Sequence, residues 1–313
     1  MSENLFTADN AAINPEVPFI QLEHPILDTA FRKRIPSDKA GFHYLDFVES
    51  SERGQNGEIQ LGLQMQKYEV VTSLKEEGIE LTDNDLESYK KFGIDVDTLS
   101  YSKLIEETVN DRVNELTVIY NRLGWKNRQN NLTKRQRNYE KYFSNWFGPL
   151  VEYVNDHADL TRKVWLYNSL IGVTSRRGTG NFIIAGRIIG EYFADSPQFI
   201  FKDPAATKLG EIKGLGFYEF GNLGYTSKIF IDPYMDDYGI ILGRTARESE
   251  PCVGFFEYVR TITSSKNNGI TEYVISSQDS IDVIPDETKA SVNYYSFFVQ
   301  IGNKPWWKKL LKL

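Results

Sequence analysis

The chain is poor in the residues that build covalent and metal-bound frameworks. Of its 313 residues only Cys252 is a cysteine, so neither an internal disulfide nor a cysteine-rich metal cage is expected. A lone cysteine of this kind reads as a small buried apolar side chain. The three histidines, His24, His43 and His157, lie far apart, and none has a second ligand three or four positions away. A zinc site is therefore not expected. No apolar run approaches the roughly 20 residues that span a bilayer. The opening residues, MSENLFTADNAAINPEVPF, lack the basic start and apolar stretch of an export signal. The expectation is a protein made and kept in a cytosol, without a membrane partner. Positive charge is also in deficit. There are 36 Lys and Arg against 43 Asp and Glu, a formal −7, which argues against a freely diffusing nucleic-acid binder.

Catalytic motifs are missing too. The stretch TSRRGTGNFIIAG (174–186) looks at first like a phosphate loop. A P-loop needs a second glycine five positions after the first and then Lys-Ser/Thr. Counting from Gly178 reaches Ile183, and counting from Gly180 reaches Ala185. The dinucleotide fingerprint fails at Ile183 as well, and here the loop precedes its strand. There is no G-x-S-x-G elbow. Asp236 and Asp237 stand together in a turn after Pro233, without carboxylates at matched spacing. Nothing assembles a nucleophile, a base and an oxyanion hole, so the chain is not expected to be an enzyme or to hold a cofactor or metal.

What the chain does have is aromatic and patterned. With 18 Tyr and 19 Phe it suits sheets and large interfaces, because each ring buries much area at low entropic cost. Residues 1–35 are polar and proline-punctuated and read as an extended arm. Strand-like GFHYLDFV (41–48) leads through polar ESSERGQNG (49–57) to Ile59, Leu61, Leu63 and Met65, which alternate with polar or glycine positions. This is a hairpin whose tip is too polar to pack on a core and should project. A short helix is expected over 81–93, with Thr82 as N-cap, Asp85 at N3 and Gly93 at its end. A long amphipathic helix follows. Tyr101, Leu104, Ile105, Val109, Val113, Leu116, Tyr120 and Leu123 recur at helical spacing, and Gly124 is expected to end it. Two more helices are expected, about 135–147 and 149–172, parted at Gly148-Pro149. The basic run Lys126, Arg128, Lys134, Arg135, Arg137, Lys141 reads either as a solvated helix start or as a patch near packaged nucleic acid. From 181 onward strand text dominates. Helices first and strands later define an α+β class and argue against a doubly wound sheet.

Three stretches in this order resemble the major capsid protein of tailed bacteriophages, in particular the major head protein of T-even-like myophages. The first is GEIQLGLQMQKYEVVTSLKEEGIELTDNDLESYKKFGIDVDTLSYSKLIEETVNDRVNELTVIYNRL (57–123). It is similar to that family's E-loop strand, short helix, Gly-Ile/Leu-Asp-Val turn and spine helix. The second is TSRRGTGN, similar to TRRGxGN before a strand. The third is GYTSKIFIDPYMDDYGIILG (224–243), similar to NGRxKVYxDPY and its following strand, after which PCVGFFEYVRT holds the place of an Asp-Ala-Gly-aromatic strand. The match covers about residues 41–303.

The resemblance implies the Hong Kong 97 fold. It implies an N-arm over 1–40, an E-loop hairpin over 41–80 and a P-domain with spine helix over 81–147. An A-domain over 148–285 and a C-terminal strand and tail over 286–313 complete it. It further implies a shell protein of the virion, assembled in a host bacterial cytoplasm. Its copies would form hexamers and pentamers around double-stranded DNA without sequence-specific binding. Portal, scaffolding and decoration proteins would be partners. Room for the T-even protein's inserted domain is missing. So is a Leu/Ile-x-Glu processing site in the first 40 residues. Candidate intersubunit or subdomain contacts are Arg176, Arg177, Asp232 and Tyr234, with Trp306, Trp307, Lys308 and Lys309 in the C-terminal segment. Two alternatives stay open: a vertex paralogue of the same fold, and a soluble α+β enzyme with an unrecognised site.

Overall fold

A computed structural model describes residues 19–53, 59–142, 144, 150–201, 218–224, 227–247 and 252–302. The first described element is a 3-10 turn, Leu27–Thr29, followed by β1 (Phe31–Arg34), β2 (Lys39–Arg53), β3 (Ile59–Val71) and β4 (Ser73–Thr82). Next come α1 (Asp83–Lys91), α2 (Val96–Asn131), α3 (Lys134–Tyr142), β5 (Glu152–Val154), α4 (His157–Ser175), β6 (Phe182–Ala185) and α5 (Arg187–Ala194). The strands β7 (Phe199–Phe201), β8 (Tyr218–Leu223), β9 (Ser227–Ile231), β10 (Gly239–Gly243), β11 (Val253–Asn267) and β12 (Ile270–Val283) follow, then α6 (Glu287–Ser291) and β13 (Tyr294–Ile301). The chain divides into two compact units, 1–112 with 246–285, and 113–245 with 286–313.

In the first unit a four-stranded sheet has the order β1-β11-β12-β4, and β2 and β3 form a separate two-stranded sheet among the described residues. One face of the sheet packs Ile79, Tyr273, Ile275 and Ile262 against Leu104, Tyr101 and Ile105 of α2. At the hairpin base Phe42, Val70 and Phe256 join Phe31 in an aromatic cluster, with the Phe42 and Phe256 rings 5.2 Å apart. Residues 19–35 do not behave as a loose arm. Leu22, Ile26 and Leu27 are fully buried, and β1 runs parallel to β11. Apolar side chains spaced along a polar text, too few for a periodic signal, still suffice to dock it. The hairpin has the expected two strands, paired from Lys39↔Val71 out to Arg53↔Ile59. β2 runs on to Arg53, into the tip expected over 49–57, and the rest of that tip, 54–57, lies outside the described residues.

The second unit is a seven-stranded sheet, β5-β13-β10-β6-β9-β8-β7, with helices on both faces. Alternation sorts the strand residues. Ile183, Leu242 and Phe297 face α4 and α5, meeting Leu160, Val164, Ile189 and Phe193. Phe182 and Tyr294 face Tyr120 of α2, at 5.4 and 4.7 Å, and Phe298 faces Trp125 at 5.3 Å.

Several expectations need correction. Helix α2 does not stop at Gly124. It runs 36 residues to Asn131, about 54 Å at 1.5 Å per residue. Gly124 sits inside it because a Cβ there would collide with Ser296 and stand 2.7 Å from its backbone N, so the glycine lets helix and sheet touch. The helix expected at 149–172 begins only at His157, where Asp156 caps it by accepting from Asp159 N at 2.7 Å. Ahead of it, β5 pairs in parallel with β13. The helix expected at 135–147 appears as α3, Lys134–Tyr142, with residue 144 also helical, while 143 and 145–147 lie outside the described residues. α5 (Arg187–Ala194) lies between the strand stretches NFIIAG and LGFYEF, where no helix was expected. α1 matches closely. Thr82 Oγ1 donates to Asp85 Oδ2 at 2.6 Å and Thr82 N donates to it at 3.0 Å, which holds the Asp85 carboxyl below its usual range, and Asp85 N donates back to Thr82 Oγ1 at 3.3 Å. Residues 246–285 lie with the first unit, and β13 lies in the sheet of the second.

Candidate functional site

The RRGTGN turn is a structural joint. Arg176 ends α4 in the left-handed conformation at φ 56°, its N–H donating to Gly172 O at 3.0 Å. Gly178 also has positive φ, 113°. Gly180 is needed because a Cβ would strike Asn168 Oδ1 and stand 3.2 Å from Gly243 O. Asn181 Oδ1 accepts from Thr245 N at 2.8 Å, and Arg244, almost fully buried, donates to Arg177 O and Asn293 Oδ1, each at 3.2 Å. The turn is therefore locked by its own chain, with the Arg176 side chain exposed and Arg177 half-buried.

The second motif is the turn after β9. Asp232, 2% exposed, accepts from Tyr234 N at 2.8 Å and from Met235 N at 3.1 Å. Burial pushes its carboxyl up from 3.8 to about 6, against the pull of those two N–H donors. The turn holds Tyr234 out, 62% exposed. It borders a groove of about 250 Å³, whose other wall is Thr117, Val118 and Trp125 of α2. Trp306, Trp307, Lys308 and Lys309 lie outside the described residues. The structure thus places the two motifs in the second unit, each built around a backbone turn.

The basic run divides. Arg128 is buried, donating to Leu150 O at 2.8 Å and lying 4.8 Å from the Trp125 ring centre. Lys126 stands 3.5 Å from Glu287. Lys134, Arg135, Arg137 and Lys141 are exposed. Sequence reasoning missed a buried charge cluster in the first unit. Arg112 Nε sits 3.0 Å from Asp279 Oδ1, Arg260 Nη2 donates to Asp279 Oδ2 at 3.0 Å, and Arg260 Nη1 donates to Glu257 Oε1 at 3.0 Å. Arg32 closes the chain on Glu257 at 2.9 Å. Partners 167 positions apart leave no local signal. Among the described residues no group of three or more His, Cys, Asp or Glu could hold a metal ion, and no helix is long and apolar enough to cross a membrane.

No family model and no curated protein matches the sequence. In fold, the chain is similar to a structure from Mycobacterium phage Adephagia, at TM-score 0.50 and 8% identity, over 89% of this chain and 91% of that one. It is similar to one from Mycobacterium phage Cain, at TM-score 0.50 and 7% identity, over 89% and 90%. The capsid of Myoviridae phage XM1 also aligns, at TM-score 0.43 and 7% identity, over 87% and 90%. The class is α+β. Within it the chain has the Hong Kong 97 fold, the fold of phage capsid proteins.

Proposed function

We propose that the chain is a capsid shell protein of a tailed bacteriophage. Copies assemble as hexamers and pentamers into a head in the host cytoplasm and enclose double-stranded DNA without reading its sequence. One observation carries the reading beyond fold: β2 and β3, 15 and 13 residues long, form a two-stranded sheet with no third strand among the described residues. An isolated hairpin of this kind is marginal in water and needs a surface to lie on. α1, with none of its residues buried, points the same way. In this reading the hairpin is the E-loop, the first unit carries the P-domain role and the second the A-domain role. Arg176 and Tyr234, exposed on rigid turns, meet neighbouring copies. Arg177 and Asp232 act from beneath by holding those turns. Trp306, Trp307, Lys308 and Lys309 dock on a neighbour. Portal, scaffolding and decoration proteins are the further partners, and the role is structural, without catalysis. Native mass spectrometry and negative-stain microscopy across a concentration series test this. Rings or closed shells are expected, and a monomer at every concentration refutes it.

A further inference from the structure

One face of the four-stranded sheet is covered by α2, and among the described residues Glu76, Gly78, Glu80, Thr263 and Glu272 of the opposite face are exposed. Register places its side chains in rows. Glu80 lies opposite Glu272, Gly78 opposite Val274, Glu76 opposite Ser276 and Leu74 opposite Gln278. Ser265, Thr263 and Thr261 extend the first three rows onto β11. Glu76, Glu80 and Glu272 are exposed, as is Leu74 at 60%. No Lys or Arg occupies any of these positions. Two carboxylates directly opposite on one sheet face repel, so Glu80 beside Glu272 weakens the pairing it sits in.

Gly78 is the second anomaly. It lies in the middle of β4, where glycine is destabilising relative to alanine because it loses more backbone freedom on folding. Its own fold does not demand it. The φ is ordinary, and a Cβ would meet Tyr273 O at 3.4 Å and Val274 Cγ2 at 3.6 Å, normal contacts. A strand glycine without internal cause marks the close approach of another group.

We infer that this face receives the C-terminal segment of a second copy of the chain, residues 304–313. That segment, KPWWKKLLKL, holds Lys304, Lys308, Lys309 and Lys312 and no acidic side chain, the complement of the face. The spacing also fits. In an extended segment Lys304, Trp306 and Lys308 project to one side at every second residue. Glu76, Gly78 and Glu80 present the same period along β4. Docked in either direction, the two lysines meet the two glutamates, and the Trp306 indole lies over Gly78 against Val274. Glu272 adds charge where Glu80 alone would leave an ammonium singly paired. The inference names the surface for the tail contact in the shell reading, and rests on that reading for the identity of the second copy.

The test uses the dilute full-length chain and a labelled synthetic peptide of residues 303–313, followed by fluorescence anisotropy. A Trp306→Ala/Trp307→Ala chain, whose own tail lacks the indoles, serves as a second receptor. Both receptors are expected to bind the peptide with the same affinity, weakening as salt is raised. Glu80→Gln/Glu272→Gln is expected to weaken binding about tenfold, with thermal stability unchanged or higher as the repulsion goes. Gly78→Ala, for which the fold has room, is expected to weaken binding at least about threefold by lifting the indole. Equal binding to all variants, or no binding to either receptor, overturns the inference. Far tighter binding to the Trp306→Ala/Trp307→Ala chain than to wild type means the tail folds back on its own copy, and overturns the second-copy assignment. Shell formation is scored separately. Shells without peptide binding refute this surface alone, and peptide binding without shells refutes the shell reading alone.

Discussion

Removing the Asp279 carboxylate isolates the buried charge cluster as a source of stability. Asp279 is fully buried, and its Oδ2 accepts from Arg112 Nε at 3.1 Å and from Arg260 Nη2 at 3.0 Å, the two arginine side chains being 4% and 1% exposed. In Asp279→Ala both guanidinium groups stay behind in a site closed to water. Breaking a buried pair by removing one partner costs about 3–5 kcal/mol. For a folding unit of about 150 residues, 1 kcal/mol moves Tm by roughly 2–4 °C, so the midpoint should fall by about 12 °C. Lys75 supplies the control. Its ammonium is 3.6 Å from Asp279 Oδ1 but its side chain is 29% exposed, so Lys75→Ala should cost less than about 1 kcal/mol. Urea and thermal unfolding followed by far-ultraviolet circular dichroism measure both. An Asp279→Ala variant within about 1 kcal/mol of wild type refutes the reasoning, as does Lys75→Ala costing as much as Asp279→Ala.

Gly124→Ala inverts the usual rule. Alanine in a helix interior normally gains about 1 kcal/mol over glycine, but here its Cβ collides with Ser296, and a net loss of about 1–3 kcal/mol is expected in a urea titration. Asp232 makes stability fall with rising pH. Its folded pKa of about 6 lies above the ordinary 3.8, so its contribution is full below about 3.8 and lost as pH passes through about 6. Asp232→Asn keeps an acceptor for Tyr234 N and Met235 N. It should match wild type near pH 4 and exceed it by roughly 2–3 kcal/mol at neutral pH, and an equal difference at both pH values sinks the assignment. Val113→Asp puts an unpaired carboxylate at a fully buried position and should prevent folding. A soluble variant with unchanged circular dichroism shows the helix face to be misread.

The sequence by itself determined the local elements. The apolar stripe from Tyr101 to Leu123 made α2 and chose its buried face, because residues three and four apart share one side of a helix. Thr82 and Asp85 announced the start of α1, since a cap involves groups only three residues apart. The hairpin was legible from a period of two, and so were the α+β class and the turn character of RRGTGN and IDPY. Tertiary structure decided what each ambiguous residue was for. Gly124 reads as a helix stop until β13 is beside it. Arg128 reads as surface charge until Leu150 and Trp125 enclose it. Asp279 is unremarkable until Arg112, from 167 positions earlier, arrives at its carboxylate. The acidic sheet face exists only when β4 and β12, some 190 residues apart in sequence, are paired so that Glu80 meets Glu272. Such pairings follow from which strands the closed chain brings side by side. A local pattern carries no trace of a partner that folding alone delivers.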